Sequence, residues 1–237
     1  MAHLQGAERA RYVQDLFGRI ARRYNLMNRL MTFGQDMRWR RFVIRKAQLP
    51  PDGRLLDLAT GTGDIAFEAL RVAPQAQVVG ADFSLPMMFV GQEQRLGPKV
   101  RWAAADALSL PFPDQSFDAV VSGYLMRNVI DIPQALAEQR RVLKPGGRIV
   151  ILDTSPPPDN WLKPLVSLHL NVVIPTLGRV VAGKDAADAY TYLPQSTQVF
   201  KTPQELAELM RQAGYEQVSY QTFALGAMAV HWGQKPR

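Results

Sequence analysis

Gly61 and Gly63 flank a single threonine just past the apolar run Leu55-Leu56-Asp57-Leu58-Ala59, and Asp82 follows Gly61 by 21 residues at the end of the next apolar run. Glycines let backbone N–H groups approach a ligand that a Cβ would hold off, and a carboxylate accepts hydrogen bonds from a pair of vicinal hydroxyls. Together they suit a ribose and the base it carries. Gly61-Thr62-Gly63-Asp64-Ile65-Ala66 also fits the GxGxxA form of dinucleotide sites. Asp57 lies inside the apolar run, where a buried carboxylate needs a partner. Asp106-Ala107, just past a third apolar run, is placed to meet the edge of a base, and Ser122 ends a fourth.

These residues need a frame, and the pattern supplies one. Arg9 to Gln48 reads as helix, with Val13, Leu16, Phe17, Ile20 and Tyr24 at helical spacing, and Pro50-Pro51-Asp52-Gly53 ends it. Strands are predicted at Arg54–Ala59, Gln77–Asp82, Val100–Ala104, Phe117–Ser122 and Arg148–Asp153. Helices are predicted from Asp64, after a Ser84 N-cap, and over Ile132–Leu143, with Lys144-Pro145-Gly146-Gly147 as the turn into strand five. Alternating strands and helices with near-continuous apolar strands mean a parallel α/β sheet covered on both faces, whose ligands sit outside the C-terminal strand ends. Thr62, Asp82, Asp106 and Ser122 fall on that one rim.

Pro156-Pro157-Pro158 interrupts the alternation, and an insert of different texture runs over about 156–201. Thr202-Pro203-Gln204-Glu205 is a capping-box start for another helix, and Tyr215–Gln221 and Phe223–Trp232 read as a closing pair of strands. The chain therefore divides into a basic helical extension, 1–50, and an α/β domain, 51–237, that carries the insert.

The 237 residues, 47% of them apolar, suffice for one large core. The absence of cysteine excludes disulfides, thiolate metal sites and cysteine nucleophiles, and no metal is expected. Net charge is +7, yet residues 1–50 alone carry +8, so the basic character belongs to the extension. An anionic partner such as a membrane surface is expected there, against the plainer reading of a solvated helix face. Met1 to Arg11 is polar and charged, unlike a secretion signal, and the most apolar window, Leu165 to Ala182, is interrupted by His169, Asn171, Pro175 and Arg179. A cytoplasmic protein, peripheral to the membrane at most, is the expectation.

The glycine turn, the carboxylate after strand two, Asp106-Ala107 and the polar turn after strand four together resemble class I S-adenosylmethionine-dependent methyltransferases. Tyr24-Asn25-Leu26-Met27-Asn28, Trp39, Arg127-Asn128-Val129, the run Arg141 to Ser155 and Tyr190-Thr191-Tyr192-Leu193 more closely resemble the ubiquinone/menaquinone biosynthesis C-methyltransferase family, over nearly the whole chain. The resemblance implies a Rossmann-like, mostly parallel seven-stranded sheet with an antiparallel last strand, and S-adenosyl-L-methionine as co-substrate. It implies cofactor contacts at Asp57, Gly61, Thr62, Gly63, Asp82 (ribose), Phe83, Asp106 (adenine), Ala107 and Ser122. The chain departs from the family pattern at Asn25 (commonly Asp), Thr32 (Ser), Asp36 (often His), Asp153 (Glu) and Tyr124-Leu125-Met126 (commonly Phe-Gly-Leu or Phe-Gly-Ile).

A hydroquinone carbon can be methylated without a cysteine adduct, because its own phenolate drives electrons onto the ring. Arg127 is the candidate to stabilise that oxyanion, Asn128 to orient the hydroxyl, and Tyr24 to line the pocket or relay a proton. Each also has a structural reading: ion-pair partner, turn cap and core residue. The expected acceptor is a lipid-soluble prenylated hydroquinone, demethylmenaquinol before a benzoquinol, under a lid made by the extension and the insert. Nucleic acid is not expected, and a homo-oligomer is left open. An RNA methyltransferase, a nicotinamide-dependent oxidoreductase and a non-catalytic relative are the competing readings.

Overall fold

The computed structural model describes residues 6–157, 161, 163–178 and 187–237. The central strands are β1 (Arg54–Leu58), β2 (Gln77–Asp82), β3 (Arg101–Ala104), β4 (Phe117–Gly123), β5 (Leu143–Thr154), β6 (Glu216–Phe223) and β7 (Met228–Gln234). They form one seven-stranded sheet in the order β3-β2-β1-β4-β5-β7-β6. β1 pairs in parallel with both β2 and β4, and β7 runs antiparallel to β5 and β6. The winding reverses between β1 and β4, which opens a crevice at their C-terminal ends.

Alternation along the strands sends side chains to two separate cores. Leu55, Val78, Val121, Val150 and Leu152 face helices α2 (Asp36–Ala47) and α3 (Asp64–Val72). Leu56, Leu58, Val120, Ile149 and Ile151 face α5 (Ile132–Val142) and α9 (Pro203–Gln212). The predicted capping box starts α9: Thr202 accepts from the Glu205 N–H, and Glu205 accepts from the Thr202 N–H. Helix α4 (Leu85–Gln92) follows β2. Ser84 is its N-cap but makes no side-chain cap bond, and the Ser84 N–H instead donates to Asp82 Oδ1 at 2.8 Å.

A third apolar cluster lies off the sheet. Val13, Leu16, Ile20, Met27 and Met31 of α1 (Gly6–Met31) pack against Val166, Ile174 and Tyr192 of the insert. The insert contributes α6 (Lys163–Leu168), a π-helical turn at His169–Val173, α7 (Ile174–Leu177) and α8 (Ala187–Gln198). Residues 158–160, 162 and 179–186 of the insert, and the side chains of His169, Tyr190, Thr191 and Leu193, lie outside what is described.

Two sequence expectations need correction. The single helix over Arg9–Gln48 is two, because Phe33 and Gly34 take left-handed φ values of 52° and 73° and turn the chain between α1 and α2. Lys144–Gly147 is not a turn outside the sheet. β5 already begins at Leu143 opposite Phe117, and a register shift between Phe117 and Ala119 absorbs the extra residues.

The two N-terminal helices are joined by buried charge. Asp36 is fully buried and receives both Arg29, at 2.5 Å, and Arg40. Arg40, itself buried, also reaches Asp64 at the start of α3, at 3.1 Å. Removing one partner of a buried ion network strands the others. Arg40→Ala is therefore expected to lower unfolding free energy by about 3–5 kcal/mol, read as a lower midpoint in urea denaturation.

Candidate active site

β1 delivers the glycine loop. Asp57, buried within β1, accepts from Thr60 Oγ1 (2.7 Å) and the Ala66 N–H (3.0 Å) on Oδ2, so it ties the loop to the start of α3, while Oδ1 has no partner. Asp82 at the tip of β2 accepts from the Gly61 N–H at 2.7 Å and the Ser84 N–H at 2.8 Å. A carboxylate offers about four lone-pair positions, so Asp82 keeps acceptor capacity for hydroxyls. Gly63 has φ 87°, and a Cβ there would lie 2.8 Å from Phe67 and Trp102, so this glycine serves packing as well as the turn.

The other rim positions divide. Asp106 is exposed beyond β3, its carboxylate accepting from the Leu108 N–H at 2.9 Å, and Ala107 beside it is buried. Ser122, at the end of β4, is buried with its hydroxyl unpartnered. Helix α1 crosses this rim. Asn25 Oδ1 accepts from Thr62 Oγ1 at 2.7 Å, and Gln14 Nε2 donates to the Phe83 carbonyl at 2.6 Å. Unsatisfied buried acceptors at Asp57 and Ser122, beside a side-chain-free loop at Gly61, fit an adenosyl group.

Alongside lies a cavity of about 370 Å³, walled by α1, α2, the insert, the β4 and β5 tips and the β6–β7 turn. Its lining is largely apolar, with Met31, Trp39, Val166, Ile174 and Met228 among it, and Tyr24, Asn28, Tyr124 and Arg127 supply polar atoms. Arg127 is buried. Its N–H donates to Asp153 Oδ2 (3.2 Å), and its guanidinium donates to Thr154 Oγ1 (3.0 Å), stands 3.6 Å from Asp153 Oδ1 and sits over the Tyr124 ring. Asn128 is placed behind this wall: Nδ2 donates to the Tyr124 carbonyl (2.8 Å), and Oδ1 accepts from the buried Tyr192 hydroxyl (3.1 Å). The amide expected to orient a substrate hydroxyl thus has both ends engaged within the protein.

The pattern of the ubiE/COQ5 methyltransferase family matches residues 4–235. The chain belongs to the ubiE/COQ5 methyltransferase family. It is 50% identical over 223 residues, 94% of this chain and 90% of the relative, to the ubiquinone/menaquinone biosynthesis C-methyltransferase UbiE of Desulfotalea psychrophila. It is 44% identical to the demethylmenaquinone methyltransferase of Thermus thermophilus, over 93% of this chain and all of that one. Among solved structures it resembles a SAM-dependent methyltransferase of Thermotoga maritima, with a TM-score of 0.65, 21% identity and coverage of 93% and 98%. The fold is thus the Rossmann-like class I methyltransferase fold that the sequence implied.

Within this ubiE/COQ5 family member, burial governs the electrostatics. It pushes the Asp57 carboxyl up to about 7, against the opposing bonds from Thr60 and Ala66. Burial also raises Asp82, against backbone N–H donors, and Asp153, against Arg127. It raises the phenols of Tyr24 and Tyr124, which Arg40 and Arg127 pull back only in part. Sequence reading did not single out Asn28 or Tyr124 as site residues, nor the 224–228 turn, since each reaches the cavity only through tertiary packing.

A folded pKa raised above the unfolded 3.8 means that the native state holds a proton the unfolded chain has released. Asp57 therefore weakens the ligand-free protein as pH rises from about 4 to about 7, and its cost is constant above that. Asp57→Asn is expected to flatten the stability profile between about pH 4 and about pH 7, measured by urea denaturation without ligand.

Proposed function

We propose that this chain transfers a methyl group from S-adenosyl-L-methionine to a ring carbon of a prenylated hydroquinone, converting demethylmenaquinol to menaquinol. The observation that carries the reading is a largely apolar cavity holding one buried guanidinium, Arg127, beside the glycine-loop rim. The names carried by the relatives support the naphthoquinol. A 2-polyprenyl benzoquinol is the second acceptor to test, since one relative's name includes ubiquinone biosynthesis.

The glycine loop, Asp82 and the Asp106-Ala107 turn would hold the co-substrate, which supplies an electrophilic methyl on a sulfonium. Arg127 favours ionisation of the ring hydroxyl next to the carbon to be methylated, because a fixed cation in a dry site stabilises a phenolate. The phenolate electrons form the new carbon–carbon bond as the sulfur–carbon bond breaks, and the ring carbon then loses its proton to restore aromaticity. Tyr24, a neutral phenol in the wall, would relay that proton, taking it up as its own passes to water. Asn128 acts indirectly, by bracing Tyr124 and Tyr192. Orientation is the largest contribution available to such a displacement, about 7–11 kcal/mol.

The extension and insert form the lid over the acceptor, and their place around the cavity supports this role. No described helix is long and apolar enough to cross a membrane. A prenylated acceptor resides in the bilayer, and exposed Arg11, Arg22 and Arg38 give the extension a cationic surface. Binding to anionic vesicles that weakens with salt is expected in sedimentation assays, and equal binding to neutral vesicles would remove the membrane contact.

The test of function is transfer of labelled methyl to reduced demethylmenaquinone and to a reduced prenyl benzoquinone, side by side in detergent. Product from the naphthoquinol is expected, and Arg127→Met should cut kcat/KM by about 10²- to 10³-fold with co-substrate affinity retained. No transfer to either acceptor by a protein that binds the co-substrate would refute the substrate reading.

A further inference from the structure

The cavity contains a donor that neither the fold nor the proposed chemistry uses. Asn28 is only 7% exposed and lines the cavity, and its Nδ2 has no hydrogen-bond partner. Buried amides are rarely left without a partner, so one kept in a cavity wall is available to a ligand. Two hydroxyls of the lining, by contrast, are engaged. Thr32 Oγ1 donates to the Asn28 carbonyl (2.7 Å) and accepts from the Asp36 N–H (3.3 Å), and Thr154 Oγ1 accepts from Arg127 (3.0 Å) and Thr197 (3.0 Å).

Tyr124 is the second such group. Its backbone is held at φ 61°, its N–H donates to the Leu152 carbonyl (2.7 Å), and its own carbonyl accepts from Asn128. Among the described residues nothing hydrogen-bonds its hydroxyl. A strained, doubly fixed backbone that points a phenol into a cavity is the kind of pre-organisation found at ligand sites. Tyr24, four residues earlier on the same helix, lines the cavity beside Asn28, so the amide sits at a cluster of polar atoms rather than in the apolar stretch.

A hydroquinone has two ring oxygens, and Arg127 accounts for one. We propose that Asn28, together with the Tyr124 hydroxyl, binds the second ring oxygen, the one remote from the methylated carbon, and so selects para-dihydroxy rings over monophenols. This rests on the hydroquinone reading of the site. Asn28 Nδ2 donates to that oxygen, and Tyr124 either accepts its proton in a hydrogen bond or donates to it. Neither residue takes part in bond making. They are positioning residues that fix how far the ring turns in the cavity, and hence which carbon faces the methyl donor.

The experiment compares two acceptors with wild type, Asn28→Leu and Tyr124→Phe. One acceptor is reduced demethylmenaquinone with a short prenyl tail. The other is the matching naphthol that keeps the hydroxyl beside the methylated carbon and lacks the remote one. Wild type should favour the diol in kcat/KM, and Asn28→Leu should shrink that preference by about 5- to 30-fold, the change expected for one buried hydrogen bond. Tyr124→Phe should shrink it in the same direction. Because each ratio is compared between enzymes, the naphthol's lower intrinsic reactivity cancels. Calorimetric S-adenosylmethionine affinity within about twofold of wild type establishes that a variant is folded, and if Asn28→Leu is not, Tyr124→Phe decides. Variants that slow both acceptors equally overturn the proposal, since that is what a purely structural role does. A wild-type enzyme that binds S-adenosylmethionine but methylates neither acceptor overturns the hydroquinone reading and this inference with it.

Discussion

Arg40, buried between Asp36 and Asp64, is the constraint on which the site depends. Burial alone would drive charge off this guanidinium, but Asp64, Tyr124, Asp36 and Tyr24 outweigh it, and its pKa rises. The ion network clamps α2 to the start of α3, which is the helix the glycine loop leads into. Through Arg29 it also fixes the end of α1. α1 can then present one face to both halves of the site: Asn25 to Thr62, Gln14 to Phe83, and Tyr24 and Asn28 to the cavity. A reaction that depends on aligning two bound molecules gains most from a single rigid wall shared by both.

The cavity is bounded by strained backbone. Phe33, Tyr124, Ala224 and Leu225 all have positive φ, and all four line it. Such residues cost on the order of 1–3 kcal/mol each and persist only where their surroundings over-determine them. Tyr124 is held from both sides, by Leu152 and by Asn128. Phe33 sits at the α1–α2 corner that Asp36 ties down, and Ala224 and Leu225 form the tight β6–β7 connection. The concave surface is thus made by turns that the sheet and the ion network force, with helix faces filling between them.

The glycine-loop rim was legible because its determinants are local. A glycine loop, the strand before it and a carboxylate at the next strand end are read from short windows, and the alternation of Leu55 and Leu56 already contains the two-sided core. The cavity beside it was not legible in this way. Its wall runs from Tyr24 to Met228, and no periodicity announces that the β6–β7 turn meets α1. Arg40 shows the same limit: in the sequence it is one of many cations of a basic extension, and only packing separates the buried Arg40 from the exposed Arg38 and Arg41. The helix break at Phe33-Gly34 was obscured by apolar positions that keep helical spacing on both sides of it. Asn128 illustrates a subtler limit: residue type allowed a ligand contact or a turn cap, and only the fold shows its amide bonding the Tyr124 carbonyl and the Tyr192 hydroxyl.

The central claim is that the methyl group goes to a ring carbon of the hydroquinone whose phenolate Arg127 stabilises, and not to the phenol oxygen. The carbon-13 spectrum of the product made from methyl-labelled S-adenosylmethionine and reduced demethylmenaquinone tests this most directly. The account predicts a single labelled signal in the aryl-methyl region, coupled to the adjacent ring carbon in doubly labelled acceptor. A labelled methoxy signal would contradict it, because it would mean that the site holds the oxygen, not the carbon, in line with the methyl donor.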